Sequence, residues 1–223
     1  MRLYLEYTAT PYTDIARERQ TGVDEMLAIL QDKQSTDRPF APPFLVNEDG
    51  VVLAQTSNIL QFLGSRHGLV PTDEQGSRWV HQLQLTIGDF VDEIHDTHHP
   101  VGGELYYEDQ QTEAQRRTKH FLEYRLGKYL GYFESVSNRN NHDRGLLVNN
   151  SVCYADLSMY QVIAGLGYAF PKTMQTLESK YPCLHKLHGY ISENKCLQDY
   201  FNSARRLAFN QTGIFRHYPE LEA

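Results

Sequence analysis

The hydrophobic pattern after residue 74 has the period of amphipathic helices. Between residues 74 and 96 the apolar positions recur at a 3.6-residue spacing, at Trp79, Leu83, Ile87, Phe90, Val91 and Ile94. Similar stripes, separated by polar or proline-containing breaks, predict further helices over residues 108–138, 156–169, 182–193 and 196–205. The second part of the chain is therefore predicted to be all-helical.

The first 65 residues instead mix short strand and helix patterns. Their clearest stretch predicts a strand, a tight turn, a second strand and a helix, at residues 44–46, 47–50, 51–53 and from 55 onward. Pro43 must enter its strand at the first position or at a bend, and Gly50 suits a hairpin turn. Gln55 and Thr56 place a hydroxyl and free backbone N–H groups at a helix N-terminus, which favours a carboxylate ligand. An ordinary helix cap is the alternative for this pair.

A second local signature lies at residues 152–157. Asp156 follows Cys153 by three residues, the spacing of a capping box, in which the carboxylate binds the backbone N–H at the start of a helix. Val152 and Leu157 occupy the two positions of a hydrophobic staple. A thiol is a weak acceptor at the cap position, and Ser151 is close enough to substitute for it in part. The box is structural, and we predict no contact with a ligand.

The composition of the chain disfavours some classes of binding partner. The chain has 223 residues and a formal net charge of −7, so nucleic acid and anionic membranes are poor partners. No apolar run approaches the roughly 20 residues of a membrane span. The N-terminus has no basic-then-apolar signal segment, and three scattered cysteines fit reduced thiols. These features predict a cytoplasmic protein.

The order of these motifs resembles the cytosolic glutathione S-transferase family. The resemblance is carried by Pro43, the Asp49-Gly50 turn, the Gln55-Thr56 pair and the box at 152–157, and it extends over nearly the whole chain. The family has Ser or Thr where this chain has Cys153. The resemblance implies an α/β plus all-α fold. It places a thioredoxin-like glutathione-binding domain at 1–67 and a helical-bundle domain at 74–223.

The same resemblance implies a glutathione site. Gln55 and Thr56 would hold the γ-glutamyl carboxylate, and a cis bond between Pro42 and Pro43 would lie beside the cysteinyl part. Pro42 can offer only its carbonyl, because proline has no N–H. One of the two backbone bonds that the family usually makes there would be absent.

The resemblance also implies conjugation of glutathione, as co-substrate, to a small hydrophobic electrophile. No cofactor is implied, and the usual assembly of the family is a homodimer. The alternative is a non-catalytic glutathione-binding or protein-interaction module that retains the scaffold.

The N-terminal residues allow two registers. In the first, residues 2–7 end the family's first helix and residues 12–16 form its second strand. The N-terminal domain would then be incomplete, because it would lack the first strand, which is central in the sheet, part of the first helix and the catalytic residue. Residues 12–16 would also lie apart from the strand at 44–46. In the second, alternation at Leu3, Leu5 and Tyr7 predicts a strand, and residues 8–11 form the active-site turn. We favour the first register, because residues 16–22 are almost wholly polar and leave the second register without a candidate for the next strand. In the favoured register the catalytic residue is unknown.

Two other groups could belong to a site. Tyr106 and Tyr107 are candidates to line the electrophile pocket, with core packing as the alternative. His95, His98 and His99 lie at a helix end, near Asp92 and Asp96, where zinc would find suitable ligands. Histidines at this position also complete helix carbonyls and favour the helix dipole. We prefer that interpretation and predict no metal site.

Overall fold

The computed structural model describes residues 1–222 and divides the chain into two compact units. The first unit is Met1–Leu69, and the second begins at Val70. The boundary lies between the two predicted domains, 1–67 and 74–223. Among residues 1–222, no helix is both long enough and apolar enough to cross a membrane.

The first unit is a β-hairpin with four helices. In chain order its elements are α1 (Arg2–Tyr7), α2 (Ile15–Glu18), α3 (Gly22–Gln31), β1 (Phe44–Val46), β2 (Val52–Ala54) and α4 (Thr56–His67). The two strands are antiparallel, with Phe44 opposite Ala54. Gly50 has a φ of 78° in the turn between them, a conformation that glycine adopts without steric cost. The first unit therefore has the thioredoxin-like fold class, with a small sheet of two strands.

The helix at Arg2–Tyr7 agrees with the favoured register, and the alternative strand at residues 3–7 is wrong. The strand predicted at 12–16 is wrong as well. The backbone carbonyl of Asp14 accepts from the N–H groups of Arg17 and Glu18, so a helical turn begins there. An extended segment needs a neighbouring strand to pair its backbone groups. Among residues 1–222 the sheet contains only β1 and β2, so this segment has no such neighbour.

The second unit is helical. Its α-helices are α5 (Glu74–His95), α6 (Gln111–His120), α7 (Leu126–Asn140), α8 (Tyr154–Ala169), α9 (Pro171–Leu177), α10 (Pro182–Ser192) and α11 (Gln198–Phe201). Helix α8 is the central element, because it packs against α5, α9 and α10 and most of its side chains are buried. Short 3₁₀ turns lie at Tyr107–Asp109, Glu178–Lys180, Lys195–Leu197 and Pro219–Glu222.

The helix predicted over 108–138 contains an irregularity that its periodicity does not reveal. Helices α6 and α7 are joined by a π-helical turn at Phe121–Arg125. Arg125 at the end of this turn donates to both carboxylate oxygens of Glu93 on α5, at 2.6–3.0 Å. Together with the Tyr129 hydroxyl, these bonds hold the pKa of the Glu93 carboxyl below its usual value. The turn thus accommodates an ion pair between helices.

Two features of the later helices differ from the prediction. Helix α8 ends at Ala169 as predicted, but Pro171 begins a further helix, α9, in the first helical position, where its missing N–H costs nothing. The helix predicted over 196–205 ends at Phe201. The side chains of Asn202 and Ser203 bind the carbonyls of Gln198 and Tyr200, and such bonds compete with a continuing helix.

The capping box at the start of α8 is present. The backbone N–H of Cys153 donates to the Asp156 carboxylate at 2.8 Å, and the N–H of Leu147 donates to its other oxygen at 2.8 Å. The Cys153 thiol faces the N–H of Asp156. Burial raises the pKa of Asp156 to about 6, against the opposing effect of the two hydrogen bonds. Ser151 is exposed and its hydroxyl donates to the Asn150 side chain at 3.5 Å, so the predicted substitution for the cap is wrong.

Candidate functional site

The hairpin register brings the predicted glutathione-binding residues to one end of the first unit. Phe44 pairs with Ala54, so the residues before β1 and the residues after β2 leave the hairpin at the same end. Pro42 therefore lies on the side from which Gln55 and Thr56 lead into α4. The bond between Pro42 and Pro43 is cis, as predicted. The side chains of all three predicted binding residues are exposed to solvent.

The N-terminus of α4 has an unusual backbone. Gln55 at the cap position has a φ of 66° and a ψ of 115°. A positive φ costs a non-glycine residue about 1–3 kcal/mol, and such strain concentrates at functional sites. Within residues 1–222, no side chain caps this helix end. The first helical hydrogen bond runs from Ile59 to the Gln55 carbonyl, which leaves the N–H groups of residues 56–58 outside the helical ladder.

These N–H groups form a positive helix end. The aligned peptide dipoles place roughly half an elementary charge at a helix N-terminus. A carboxylate bound there would accept from backbone N–H groups and from the Thr56 hydroxyl. The Asn58 side-chain nitrogen donates to the Ala54 carbonyl at 3.1 Å.

The position of α4 is fixed by the core of the first unit. Ile59, Leu60 and Leu63 are buried on its inner face. The buried Tyr4 on α1 donates its hydroxyl to the Leu63 carbonyl at 2.9 Å. Gly68 ends the helix in the left-handed conformation, with a φ of 72°. The exposed N-terminus is thus held on a rigid element.

Several hydroxyl groups of the first unit already have partners. Tyr4 is bound to Leu63, the Tyr12 hydroxyl donates to Glu6 at 2.8 Å, and Thr8 binds helix carbonyls of α1. The three cysteines lie in the second unit. These hydroxyls are therefore engaged within the first unit itself, and the geometry singles out none of the three as a donor for a thiol.

The two candidate pocket tyrosines occupy different environments. Tyr107 is 3% exposed, and its ring stacks on Tyr218 with 3.7 Å between centroids. Its hydroxyl donates to Glu220 at 3.0 Å, and burial raises its pKa. This placement supports the core-packing alternative for Tyr107. Tyr106 is 77% exposed, and its role in a pocket stays a prediction.

The structure brings the three histidines at the end of α5 together. Their rings are 4.7–5.4 Å apart, and His98 and His99 are buried. Burial lowers the pKa of His98 to about 3 and, to a smaller degree, that of His99. The His98 Nε2 atom donates to the Ile214 carbonyl, not to a carbonyl of α5. No sequence spacing could have indicated this contact, since the two residues are 116 positions apart.

Sequence reasoning also missed a cavity of about 440 Å³ within the second unit. Helices α7 to α10 line it with mainly apolar side chains, among them Leu130, Ile163, Met174, Tyr181 and Leu184. Each helix contributes only part of the wall, so no single hydrophobic pattern indicates the space.

Residues 95–204 match the family model of the glutathione S-transferase C-terminal domain. A glutathione S-transferase of Plasmodium falciparum is 21% identical over 94% of this chain and 92% of its own length. A glutathione S-transferase of Plasmodium yoelii yoelii is 25% identical over 82% of this chain and 75% of its own length.

The fold agrees with these matches. The solved structure of prostaglandin synthase D of Nilaparvata lugens superimposes with a TM-score of 0.67 at 17% identity, covering 93% of this chain and 92% of its own. These comparisons lead to one assignment: residues 95–204 belong to the glutathione S-transferase C-terminal domain family, and the chain is similar to glutathione S-transferases along most of its length.

Proposed function

We propose that this chain binds glutathione at the exposed start of α4 and conjugates it to small hydrophobic electrophiles. The observation that carries the proposal is the uncapped α4 N-terminus, which follows the strained Gln55 and lies at the same hairpin end as Pro42. A helix end of this kind favours an anion. Glutathione offers a carboxylate on its γ-glutamyl residue.

Each predicted residue has a distinct part in binding. Thr56 donates its backbone N–H and its hydroxyl to the γ-glutamyl carboxylate, with the Gln55 side chain beside it. A hydrogen bond to a charged group is worth about 1.5–3 kcal/mol. Pro42 accepts a hydrogen bond from the cysteinyl N–H through its carbonyl. Because proline has no N–H, Pro42 cannot also donate a hydrogen bond to glutathione. The affinity for glutathione therefore depends mainly on the start of α4.

Conjugation needs the thiolate of glutathione, because the neutral thiol is a poor nucleophile. The thiol gives up its proton, sulfur forms a bond to the electrophilic carbon, and the leaving group departs with its electron pair. An enzyme accelerates this step with a donor aimed at the sulfur and by holding the electrophile nearby. The partnered hydroxyls of Tyr4 and Tyr12 favour the alternative, a non-catalytic glutathione-binding module.

A pair of measurements separates these functions. The purified chain is passed over immobilised glutathione, and the conjugation of a generic aromatic halide is followed against the uncatalysed rate. Retention with accelerated conjugation supports the transferase. Retention without acceleration supports the binding module, and loss of retention contradicts both.

Two properties accompany the proposal. We infer a homodimer, as is usual in the family, and a cytoplasmic location, which is consistent with the three free cysteines. Light scattering of the purified chain tests the dimer. A mass corresponding to a single chain at all concentrations would contradict it.

A further inference from the structure

The cluster of three histidines has the chemistry of a metal site. His95 ends α5, and His98 and His99 follow in the next turn, so the i, i+3, i+4 spacing places them on one side. Each residue offers one ring nitrogen, and these three atoms lie within 4.8 Å of one another. Imidazole nitrogen is a preferred ligand of zinc, copper and nickel.

The hydrogen bond to Ile214 orients His98 as a ligand. Its Nε2 donates to the Ile214 carbonyl at 2.8 Å, so in the neutral ring Nδ1 carries the lone pair. Metal-bound histidines usually donate their second ring N–H to a carbonyl or carboxylate in this way. The ring is 1% exposed, and burial favours its neutral, ligating form.

His99 presents the same atom to the same point. Its Nδ1 lies 2.5 Å from Nδ1 of His98. Without a metal, the two atoms share a proton, which His99 donates while its Nε2 faces Arg216 Nη1 at 3.5 Å. With a metal at Nδ1, the neutral His99 ring carries its proton on Nε2, so the Arg216 guanidinium would have to turn away from that atom.

His95 opens the cluster to solvent. Its side chain is 33% exposed, which provides an entry path for an ion. Ligand nitrogens around a tetrahedral zinc are about 3.3 Å apart, as follows from Zn–N distances of about 2.0–2.1 Å. To reach this spacing the His95 ring would move inward, and the Nδ1 atoms of His98 and His99, which are 2.5 Å apart, would separate by about 0.8 Å. Three protein ligands leave a fourth position for water, as in many zinc sites.

The charged groups around the three histidines have opposite effects on the binding of a cation. The Arg216 guanidinium beside His99 disfavours a cation. The carboxylates of Asp96, 3.7 Å from His95, and Glu108 near His99 favour one. Replacing Arg216 with a neutral residue should therefore strengthen binding of a metal.

Contrary to the expectation from the sequence, we propose that His95, His98 and His99 bind a divalent transition metal ion of the zinc type at the end of α5. The proposal does not depend on glutathione binding.

Cobalt is the probe for the test, because its visible d–d spectrum reports the ligand geometry. The full chain is stripped of metal with a chelator, titrated with Co²⁺, and then titrated with Zn²⁺ in competition. We expect saturable tetrahedral-type absorption that Zn²⁺ abolishes, and a melting temperature that rises with the bound ion. Absence of the absorption would overturn the proposal.

Variants assign the ligands. His95→Gln should weaken Co²⁺ binding by about tenfold or more without changing the melting temperature of the metal-free chain. His99→Gln should act similarly, and Arg216→Gln should strengthen binding. His185→Gln is the matched control, since His185 is exposed and paired with Glu178 elsewhere in the second unit. Equal affinity of His95→Gln and the control would contradict the site.

Discussion

At the scale of single residues, Asp156 shows how one carboxylate can order two segments. It is fully buried, and its two oxygens accept from the N–H groups of Cys153 and Leu147. One bond closes the start of α8, and the other holds the loop before it. Removing the carboxylate leaves both buried donors without a partner, which costs more than the loss of an ordinary surface cap.

Asp156→Ala should therefore lower the free energy of unfolding by about 2–3 kcal/mol. Chemical denaturation of the purified chain measures this change. Asp143→Ala is the matched control: Asp143 is exposed, the charge change is identical, and the expected effect is within about 0.5 kcal/mol. Retention on immobilised glutathione should be unchanged in both. A normal stability of Asp156→Ala combined with lost retention would contradict a structural role.

The same residue predicts a pH dependence. Burial raises the pKa of Asp156 from 3.8 to about 6 in the folded state, so between these values the folded chain binds more protons than the unfolded chain. The stability that its protonation adds is then fully present below pH 4 and is lost as the pH rises through 6, whereas the two hydrogen bonds to the carboxylate remain. The stability difference between the wild-type chain and Asp156→Ala should be larger at pH 5 than at pH 7. A difference that grows toward pH 7 would contradict this assignment.

At the scale of elements, α8 carries two glycines with opposite surroundings. A Cβ atom on Gly165 would lie 2.3 Å from the ring of Phe215, which packs the C-terminal segment against the helix. A Cβ atom on Gly167 would meet nothing within 4 Å. Because both positions lie in one helix, a comparison of the same substitution at each separates the effect of packing on stability from the effect of helix propensity.

Gly165→Ala should destabilise the chain by about 1–3 kcal/mol, since it forces Phe215 out of its place. Gly167→Ala should stabilise it by about 0.5–1 kcal/mol, since alanine is the better helix former. Thermal melting compares the two variants. Hydrogen exchange should show loosening around Phe215 only in Gly165→Ala. Equal melting temperatures would contradict the close contact between this segment and α8.

The elements differ in how far sequence could predict them. Helix α5, the hairpin and the box at Asp156 were predictable, because their signals lie within a few neighbouring residues. The π-helical turn before α7 was not, since it is associated with the pairing of Arg125 with Glu93 on another helix. The strand at 12–16 was predicted from its resemblance to a family segment, but a strand also needs a partner that the described sheet does not offer.

The residues of the candidate sites also differ in how far the sequence could predict them. Pro42, Gln55 and Thr56 could be predicted because the hairpin between them is local and its register is set by a tight turn. The environment of Tyr107 could not, since it depends on Tyr218 and Glu220 at the far end of the chain. The histidine cluster was visible in the sequence, but its orientation depends on Ile214.

At the scale of the whole molecule, family membership and activity are separate questions. The second unit carries the family match, whereas the proposed glutathione-binding residues lie in the first unit. Binding of glutathione by the first unit is thus the central claim. It must hold for both the transferase and the binding module.

Calorimetric titration of glutathione into the wild-type chain, Thr56→Val and Thr56→Ser tests this claim most directly. Valine keeps the shape of Thr56 and removes its hydroxyl, whereas serine keeps the hydroxyl. We predict binding to the wild-type chain, similar affinity for Thr56→Ser, and a loss of about 1.5–3 kcal/mol for Thr56→Val with an unchanged melting temperature. Equal affinities of all three chains, or no binding to the wild-type chain, would contradict the assignment of the glutathione site to the start of α4.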